Sequence, residues 1–202
     1  MADHAERPDN NELRDKLAAR LDFVRSAERL KDTLRSGFTS NGRTESVADH
    51  TWRLTLLAMS LFDLLPEVDP LRLLKICILH DLGEAVHGDI PAPLQDPTKP
   101  KAHDERKDFR GLIRGLPEEM QSEYLTLWDE YENASSHEGQ VAKALDKLET
   151  ILQHNQGKNP KGFDYAYNLE YGRSQTDAVP LAAALRQLLD ACLLYTSDAA
   201  DE

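Results

Sequence analysis

The chain has 202 residues, 40% of them hydrophobic, which is enough for one compact domain with a single core. Its formal net charge of -12 argues against binding nucleic acid or an anionic membrane through bulk charge, because both surfaces would repel it. It has neither an apolar run of the roughly 18 residues that a membrane span needs nor the apolar stretch of a signal peptide near its start. The composition therefore predicts a cytoplasmic protein with no nucleic-acid partner and no membrane partner.

Helical periodicity dominates the first part of the chain, and no convincing strand alternation appears. Leucine and valine residues recur at three- and four-residue steps from Leu13 to Leu34, which predicts an amphipathic helix. An irregularity between Val24 and Leu30 leaves open whether this is one helix or two. Turn-forming residues at 36–43 predict a loop after it.

Two capping patterns predict where the second and third helices begin. Ser46 followed by Asp49 resembles a capping box, with Asp in place of the usual Glu, and predicts a helix over about 46–65. Asp69 followed by a proline provides an N-cap and a favourable first helical position, which predicts a helix over about 70–81.

The helical pattern breaks after the third helix and then resumes. Glycines and prolines at 82–100 forbid a long regular element and predict an ordered loop or short turns of helix. Helical spacing returns over 102–113, 117–131 and 136–153, and a final helix is predicted from Pro180. The predicted fold class is therefore all-α.

The end of the chain differs in character from the rest. Residues 192–202, CLLYTSDAADE, fit poorly with what precedes them and resemble translated sequencing-adapter read-through. We expect a single domain at residues 1–191, followed by a non-native tail that plays no part in the fold. The alternative is a genuine C-terminus without order.

Four side chains of metal-ligand type, His50, His80, Asp81 and Asp146, lie within otherwise apolar helical stretches. Imidazole nitrogen and carboxylate oxygen suit a borderline or hard divalent ion, and no thiolate lies nearby to favour a soft one. Co²⁺, Mn²⁺, Fe²⁺ and Zn²⁺ meet this description, and Mg²⁺ remains open. Adjacent helix residues point about 100° apart, so His80 and Asp81 reach one ion only if the helix ends or bends there. Gly83 makes such an end feasible.

His50 and Asp146 each have a structural alternative. Taken alone, His50 could be a core histidine, although the helix dipole in the first turn favours a neutral ring that is able to bind metal. Asp146 interrupts an apolar face, where an unpaired buried carboxylate would be costly. Its alternative is an exposed aspartate paired with Lys143 or Lys147.

Further charged residues lie near these four in the sequence. Glu84 and Asp89 follow the His-Asp doublet and could handle protons or bind substrate, or they could be ordinary loop acids. Arg35 and Arg43 precede the first histidine, and a guanidinium there could hold phosphate oxygens in its bidentate fork. Solvated surface positions are the alternative for both arginines.

The order of these residues resembles that of a known superfamily. A histidine, a His-Asp doublet and a later aspartate resemble the HD superfamily of metal-dependent phosphohydrolases. The segments 43–50 and 80–91 and the helix around Asp146 are more specifically similar to 5′-deoxynucleotidases of the YfbR type, over about residues 13–155. A bare doublet is common, but the three segments in this order, with the Gly-Asp-Ile-Pro extension, form a strong combined signal.

The resemblance implies a helical HD-domain bundle around a mononuclear metal site. In that bundle His50, His80, Asp81 and Asp146 would bind one divalent ion, with Co²⁺ or Mn²⁺ typical of the family. The substrate would be a deoxyribonucleoside 5′-monophosphate, and the products a nucleoside and inorganic phosphate. The resemblance also implies a homodimer.

It further implies roles for residues around the ion. Arg35 matches the arginine that orients the phosphate, and Glu84 matches the catalytic carboxylate. Asp89 would bind the sugar or assist departure of the leaving group, and its role could be exchanged with that of Glu84. The segment beside the nucleotide would comprise Asp89, Ile90, Pro91 and Ala92.

One position departs from the family pattern. Bacterial members carry tryptophan immediately after the arginine, whereas this chain has Ser36, with Phe38 two positions further on. Stacking or sugar discrimination would then fall to Phe38. Selection of deoxyribose over ribose therefore stays open.

Two alternative functions remain. Other HD proteins hydrolyse nucleotide alarmones or triphosphates, but those relatives typically carry a Glu-Asp pair or extra basic residues for the longer phosphate chain, and the segment here is acidic. A nucleotide-sensing domain without turnover would keep the fold, but the presence of all four ligand-type residues and Glu84 argues against it. The predicted function is thus a metal-dependent phosphomonoester hydrolase.

Overall fold

The computed structural model describes residues 10–89 and 101–200, and it describes side chains for 10–89 and 102–192. Two short antiparallel strands, β1 (Leu34–Phe38) and β2 (Thr44–Ser46), accompany a set of helices, which confirms the all-α class. Single 3₁₀ turns occur at Glu28–Lys31 and Phe62–Leu64. The helices are α1 (Asn10–Ala27), α2 (Val47–Met59), α3 (Pro70–Leu79), α4 (Glu84–His87), α5 (Lys101–Ile113), α6 (Glu118–Asn133), α7 (His137–Gln156), α8 (Tyr167–Glu170), α9 (Arg173–Asp177) and α10 (Pro180–Ala200).

The helix starts follow the local capping chemistry. Ser46 caps α2 in a reciprocal box: the Asp49 amide donates to Ser46 Oγ (3.1 Å), and the Ser46 amide donates to Asp49 Oδ2 (2.9 Å). Asp69 accepts from the Arg72 amide at the start of α3, and Ser136 does the same job for α7. All three predicted starts are confirmed. The predicted ends are too late, since α2 ends at Met59 and α3 at Leu79.

The hairpin of β1 and β2 was not predicted. Turn-forming residues predicted a loop at 36–43 and no strand. Instead, Leu34 pairs with Ser46 and Phe38 pairs with Thr44, with an irregular register between them. The strands are too short to show an alternating pattern, and a contact with another element stabilises the hairpin. Gln153 Nε2 of α7 donates to the Phe38 carbonyl at 2.5 Å. Tertiary contact therefore decides the structure here, as it does for many strands.

Helix α7 lies at the centre of the fold. It packs against α2, α3, α6 and α10, and β1 contacts it as well. Its apolar face is covered: Val141, Leu145 and Leu148 are buried, and Leu152 is partly buried. Because other helices pack against several sides of α7, polar side chains along it are shielded from water.

Helix α1 lies at the edge of the fold, and no residue of it is buried. Its apolar stripe is exposed: the exposed fractions are 43% for Leu13, 51% for Leu17, 55% for Leu21 and 63% for Val24. Phe23, on a neighbouring face, contacts Tyr124 of α6, with ring centroids 6.0 Å apart. The predicted helix is therefore present as far as Ala27, but it does not reach Leu34, which lies in β1, and its leucine stripe does not form part of the core.

Within the described ranges, no helix combines the length and the apolar character needed to cross a bilayer. The assignment of residues 1–191 to one native domain, and of 192–202 to a non-native tail, stays a prediction.

Candidate metal centre

The end of α3 brings the adjacent His80 and Asp81 side chains to one place. The helix stops at Leu79, a turn follows, and α4 begins at Glu84, whose amide donates to the Asp81 carbonyl at 3.0 Å. As a result His80 Nε2 and Asp81 Oδ2 lie 3.1 Å apart. Gly83 lets this turn lie close against α5, because a Cβ there would be 2.6 Å from a backbone carbonyl oxygen of that helix. The helix ends here as the doublet requires, two residues before the predicted end at Asp81.

All four residues of metal-ligand type converge. His50 comes from α2 and Asp146 from α7, and His50 Nε2 lies 3.1 Å from Asp146 Oδ1 and 3.8 Å from Asp81 Oδ2. The rings of His50 and His80 have centroids 5.6 Å apart. One ligand atom each from His50, His80 and Asp146 all lie within 4.8 Å of one another. Three segments far apart in the sequence thus form one cluster.

The cluster has the chemistry of a site for a divalent ion. His50 Nε2 and His80 Nε2 are buried, yet neither makes a hydrogen bond of acceptable geometry within the described residues. Leaving such a group unsatisfied costs about 1–3 kcal/mol. Nitrogen and oxygen ligands lie about 2.0–2.2 Å from a first-row ion, so ligand atoms separated by 3.1–3.8 Å can surround one. The residues present therefore fit such an ion.

The second ring nitrogen of each histidine is already engaged. His80 Nδ1 donates to the Cys77 carbonyl at 2.8 Å, and His50 Nδ1 donates to the Glu149 carboxylate. Engagement of Nδ1 leaves the lone pair on Nε2, which is the nitrogen that faces the cluster. Both rings are thus held in the tautomer that can bind a metal.

Asp146 is buried, with 4% of its surface exposed, so the alternative of an exposed helix-face aspartate is wrong. Its pairing with Lys147 is real: Oδ2 accepts from Lys147 Nζ (2.8 Å) and from the Tyr131 hydroxyl (2.7 Å). Burial alone would raise the pKa of Asp146, but Lys147, His50 and His80 hold it well below its usual range. Asp146 Oδ2 therefore contacts Lys147 and Tyr131, and Asp146 Oδ1 faces the cluster.

Arg35 in β1 lies directly beside the ligand-type residues. Its Nη1 donates to Asp81 Oδ2 at 3.4 Å, and its Nη2 donates to Thr150 Oγ1 of α7 at 3.1 Å. Its Nε lies 3.4 Å from Glu45 Oε2. Burial disfavours the charged form, but the surrounding acids, Asp89 among them, raise the pKa above its ordinary value. The guanidinium is therefore a fixed positive charge at the edge of the cluster.

The other predicted site residues occupy more varied positions. Glu84 is buried at the start of α4, and Asp89 is partly buried after Gly88, whose φ of 86° suits glycine. Ser36 is exposed and Phe38 is partly buried. Three predicted residues, Ile90, Pro91 and Ala92, lie outside the described residues.

Arg43 does not join the cluster. It is exposed and its Nη1 donates to Asp49 Oδ2 at 2.7 Å, so the surface alternative holds for this arginine. Arg35 and Arg43 precede the first histidine by 15 and 7 residues, and only Arg35 lies in a strand, which contacts α7.

Glu45, Glu149 and Thr150 also belong to this region and were not predicted from the sequence. Glu45 is buried beside Arg35; burial first and Glu149 second raise its pKa to about 7, although His50 and Arg35 oppose this. Glu149 and Thr150 follow Asp146 by three and four residues, so they lie on the same face of α7. That spacing was a signal available in the sequence.

Comparison with known proteins gives concordant results. Residues 27–186 match the HD domain family. The chain is 34% identical to a 5′-deoxynucleotidase of Danio rerio over 145 residues, which is 70% of this chain and 71% of that protein. It is 34% identical to the Homo sapiens 5′-deoxynucleotidase over 135 residues, 66% of this chain and 65% of that one. A crystal structure of a predicted metal-dependent phosphohydrolase from Magnetospirillum magnetotacticum has 29% identity and a TM-score of 0.69, and covers 89% of this chain and 96% of its own.

Proposed function

Since the chain belongs to the HD-domain family, we propose that it hydrolyses deoxyribonucleoside 5′-monophosphates to a nucleoside and inorganic phosphate. The observation that carries this proposal is the convergence of two histidines and two aspartates beside a partly buried arginine. A divalent ion and a fixed cation together suit a phosphoryl group, whose transferring oxygens carry spread negative charge. The resemblance noted in the sequence is confirmed at the level of the family.

His50, His80, Asp81 and Asp146 would hold one divalent ion, and we propose Co²⁺ or Mn²⁺ for this nitrogen and oxygen donor set. When bound, such an ion supplies Lewis-acid activation of the phosphoryl group and of the attacking water. The chain keeps the donors ready: two aspartates with lowered pKa values stay ionised, and two histidines present Nε2.

Arg35 would bind the phosphate and neutralise the charge that develops on it. It stays cationic, and its Nη1 contact to Asp81 is long at 3.4 Å, so a phosphate oxygen could compete for that donor. Thr150 contacts Nη2 of the guanidinium and Glu45 lies beside its Nε, and together they fix its orientation. Preorganised charge of this kind costs little reorganisation during the reaction.

Two carboxylates are proposed to handle the protons and the sugar. Glu84 follows the His-Asp doublet by one turn and is buried, which suits an acid that orients the attacking water or takes its proton. Asp89 is close enough to Arg35 to raise the pKa of that guanidinium, so a phosphate held by Arg35 would lie near this carboxylate. There it would bind the sugar or assist the leaving oxygen.

Substrate contacts further from phosphorus are proposed from the resemblance alone. They would come from Ser36 and Phe38 of the hairpin and from Ile90, Pro91 and Ala92. Ser36 is exposed, whereas Phe38 is partly buried, which favours Phe38 as the stacking residue. Assembly as a homodimer and a cytoplasmic location stay predictions.

A substrate panel tests the proposed reaction. Phosphate release from deoxyribo- and ribonucleoside 5′-monophosphates and from nucleoside triphosphates is measured with added Co²⁺ or Mn²⁺. We expect release from the monophosphates, with deoxyribonucleotides preferred. Arg35→Ala should lower kcat/KM by about tenfold or more, because a charged contact worth at least about 1.5 kcal/mol is lost. Arg43→Ala, in the same hairpin, is the control and should retain activity. Release from polyphosphates alone would favour a pyrophosphohydrolase, and bound nucleotide without release would favour a sensing domain.

A further inference from the structure

Glu149 is a fully buried acid with no place in the proposed reaction. Its side chain is 0% exposed, as is that of His50, and its Oε2 accepts from His50 Nδ1. It follows Asp146 by three residues on α7, so one helix supplies both a ligand and the group behind another ligand. A buried carboxylate is expensive unless it is paired, which calls for an explanation of this one.

The two histidines of the cluster differ in what holds them. His80 Nδ1 donates to a neutral carbonyl of its own helix, whereas His50 Nδ1 donates to a carboxylate from another helix. A carboxylate fixes the ring more strongly, because hydrogen bonds to charged groups are stronger, and it makes the opposite nitrogen a better donor to a metal. His50 is thus the ligand whose orientation and basicity depend on a tertiary contact.

The second carboxylate oxygen of Glu149 lies beside an arginine. Arg53 Nε of α2 lies 3.2 Å from Glu149 Oε1, and Arg53 Nη1 donates to Gln153 Oε1. Gln153 Nε2 donates to the Phe38 carbonyl at 2.5 Å. A continuous row of contacts therefore links the hairpin that carries Arg35 to the ring of His50.

A second metal site at Glu45, His50 and Glu149 is the competing explanation, because their ligand atoms also lie within 4.8 Å of one another. Each of these acids, however, already faces an arginine: Arg35 for Glu45 at 3.4 Å and Arg53 for Glu149 at 3.2 Å. A divalent cation there would lie against two guanidinium groups, which its charge opposes. Its only histidine would also have to give up the hydrogen bond from Nδ1.

We propose that Glu149 is a positioning residue for the metal centre, which sets the ring orientation and donor strength of His50 while touching neither metal nor substrate. This inference rests on the proposed metal site, because it describes how one of its ligands is prepared. Partners of this kind typically contribute about 10- to 100-fold to metal affinity.

The test compares Co²⁺ binding by the metal-free full-length chain and its variants, using titration calorimetry and the visible absorption spectrum of the bound Co²⁺. Glu149→Gln keeps the shape of the side chain and removes its charge. We expect affinity to fall about 10- to 100-fold and the Co²⁺ spectrum to change. Asp129→Asn is the matched control: it removes an acid paired with Arg106 at 2.6 Å, between α5 and α6, and should leave both readouts unchanged.

The outcomes separate this inference from the proposed function. If the wild-type chain binds no Co²⁺, the metal site fails and the role of Glu149 fails with it. If the wild-type chain binds Co²⁺ and Glu149→Gln matches its affinity and spectrum, only the positioning role is overturned. Should Glu149→Gln fail to fold, Glu149→Asp provides the test, because it keeps the charge that faces Arg53 and shortens the side chain, which withdraws the carboxylate from His50. Weaker Co²⁺ binding by that variant supports the role, and unchanged binding overturns it.

Discussion

Helices α7 and α1 have similar lengths and similar apolar spacing, but they have opposite environments. Helix α7 has 20 residues, twelve of them buried, whereas α1 has 18 residues and none is buried. Periodicity therefore identifies a helix without telling whether its apolar stripe is covered. The difference matters for function, because charged groups interact more strongly where water is excluded.

The polar residues of α7 form a stripe in this dry environment. Asp146, Glu149, Thr150 and Gln153 are spaced by three and four residues, so they lie on one face, and all four are buried. Asp146 lies in the cluster of metal-ligand type residues, and Glu149 contacts His50. Thr150 contacts Arg35, and Gln153 contacts the hairpin. On α1, by contrast, the charged residues form exposed pairs such as Arg25 with Asp22, which contribute little.

Asp146→Asn should have the largest effect. It removes the charge of one ligand and keeps its shape, so metal and activity should be lost together. We expect the rate of phosphate release to fall by at least about a hundredfold, because even residues behind a ligand contribute about 10- to 100-fold. Metal analysis and phosphate release check this. Asp22→Asn on α1 is the control and should retain both, and full activity in a metal-free Asp146→Asn chain would refute the ligand assignment.

Leu148→Ala should have the next largest effect, on stability. Leu148 is 0% exposed in α7, and truncation of such a residue costs about 2–5 kcal/mol of the free energy of unfolding. Leu17→Ala, on the exposed stripe of α1, should change it by no more than about 0.5 kcal/mol. Denaturant unfolding of the two variants measures the contrast. Equal losses would mean that a partner covers the α1 stripe in solution.

Thr150→Val should have a smaller effect, confined to catalysis. It removes the hydroxyl that accepts from Arg35 Nη2 and donates to the Asp146 carbonyl of its own helix, and it keeps the volume of the side chain. Hydrogen bonds to charged groups contribute about 1.5–3 kcal/mol, so kcat/KM should fall by about tenfold or more. Thr126→Val on α6 is the control, since that hydroxyl donates only to its own helix. An unchanged kcat/KM in Thr150→Val would show that Arg35 does not need this support.

The features that could be predicted from the sequence depend on near neighbours in the chain. Ser46, Asp69 and Ser136 bind amides three residues ahead, so their helix starts can be recognised locally. The order of ligand-type residues also allowed the metal site to be predicted through its family resemblance.

The features that were missed depend on distant partners. The hairpin is held by Gln153, 115 residues from Phe38, and Glu149 is joined to His50 across 99 residues. No local pattern of amino acids specifies such contacts, because they form only when α2, α7 and the hairpin pack together. The same reason explains why residue type and position alone did not distinguish Arg35 from Arg43, which only the family resemblance separated.

A titration of the metal-free chain tests the central claim most directly. Co²⁺ or Mn²⁺ is added in steps while bound metal and phosphate release from a deoxyribonucleoside 5′-monophosphate are measured on the same samples. We expect activity to rise in proportion to occupancy and to saturate at one ion per chain. Full phosphate release from the metal-free chain, or one tightly bound ion without any release, would contradict the account.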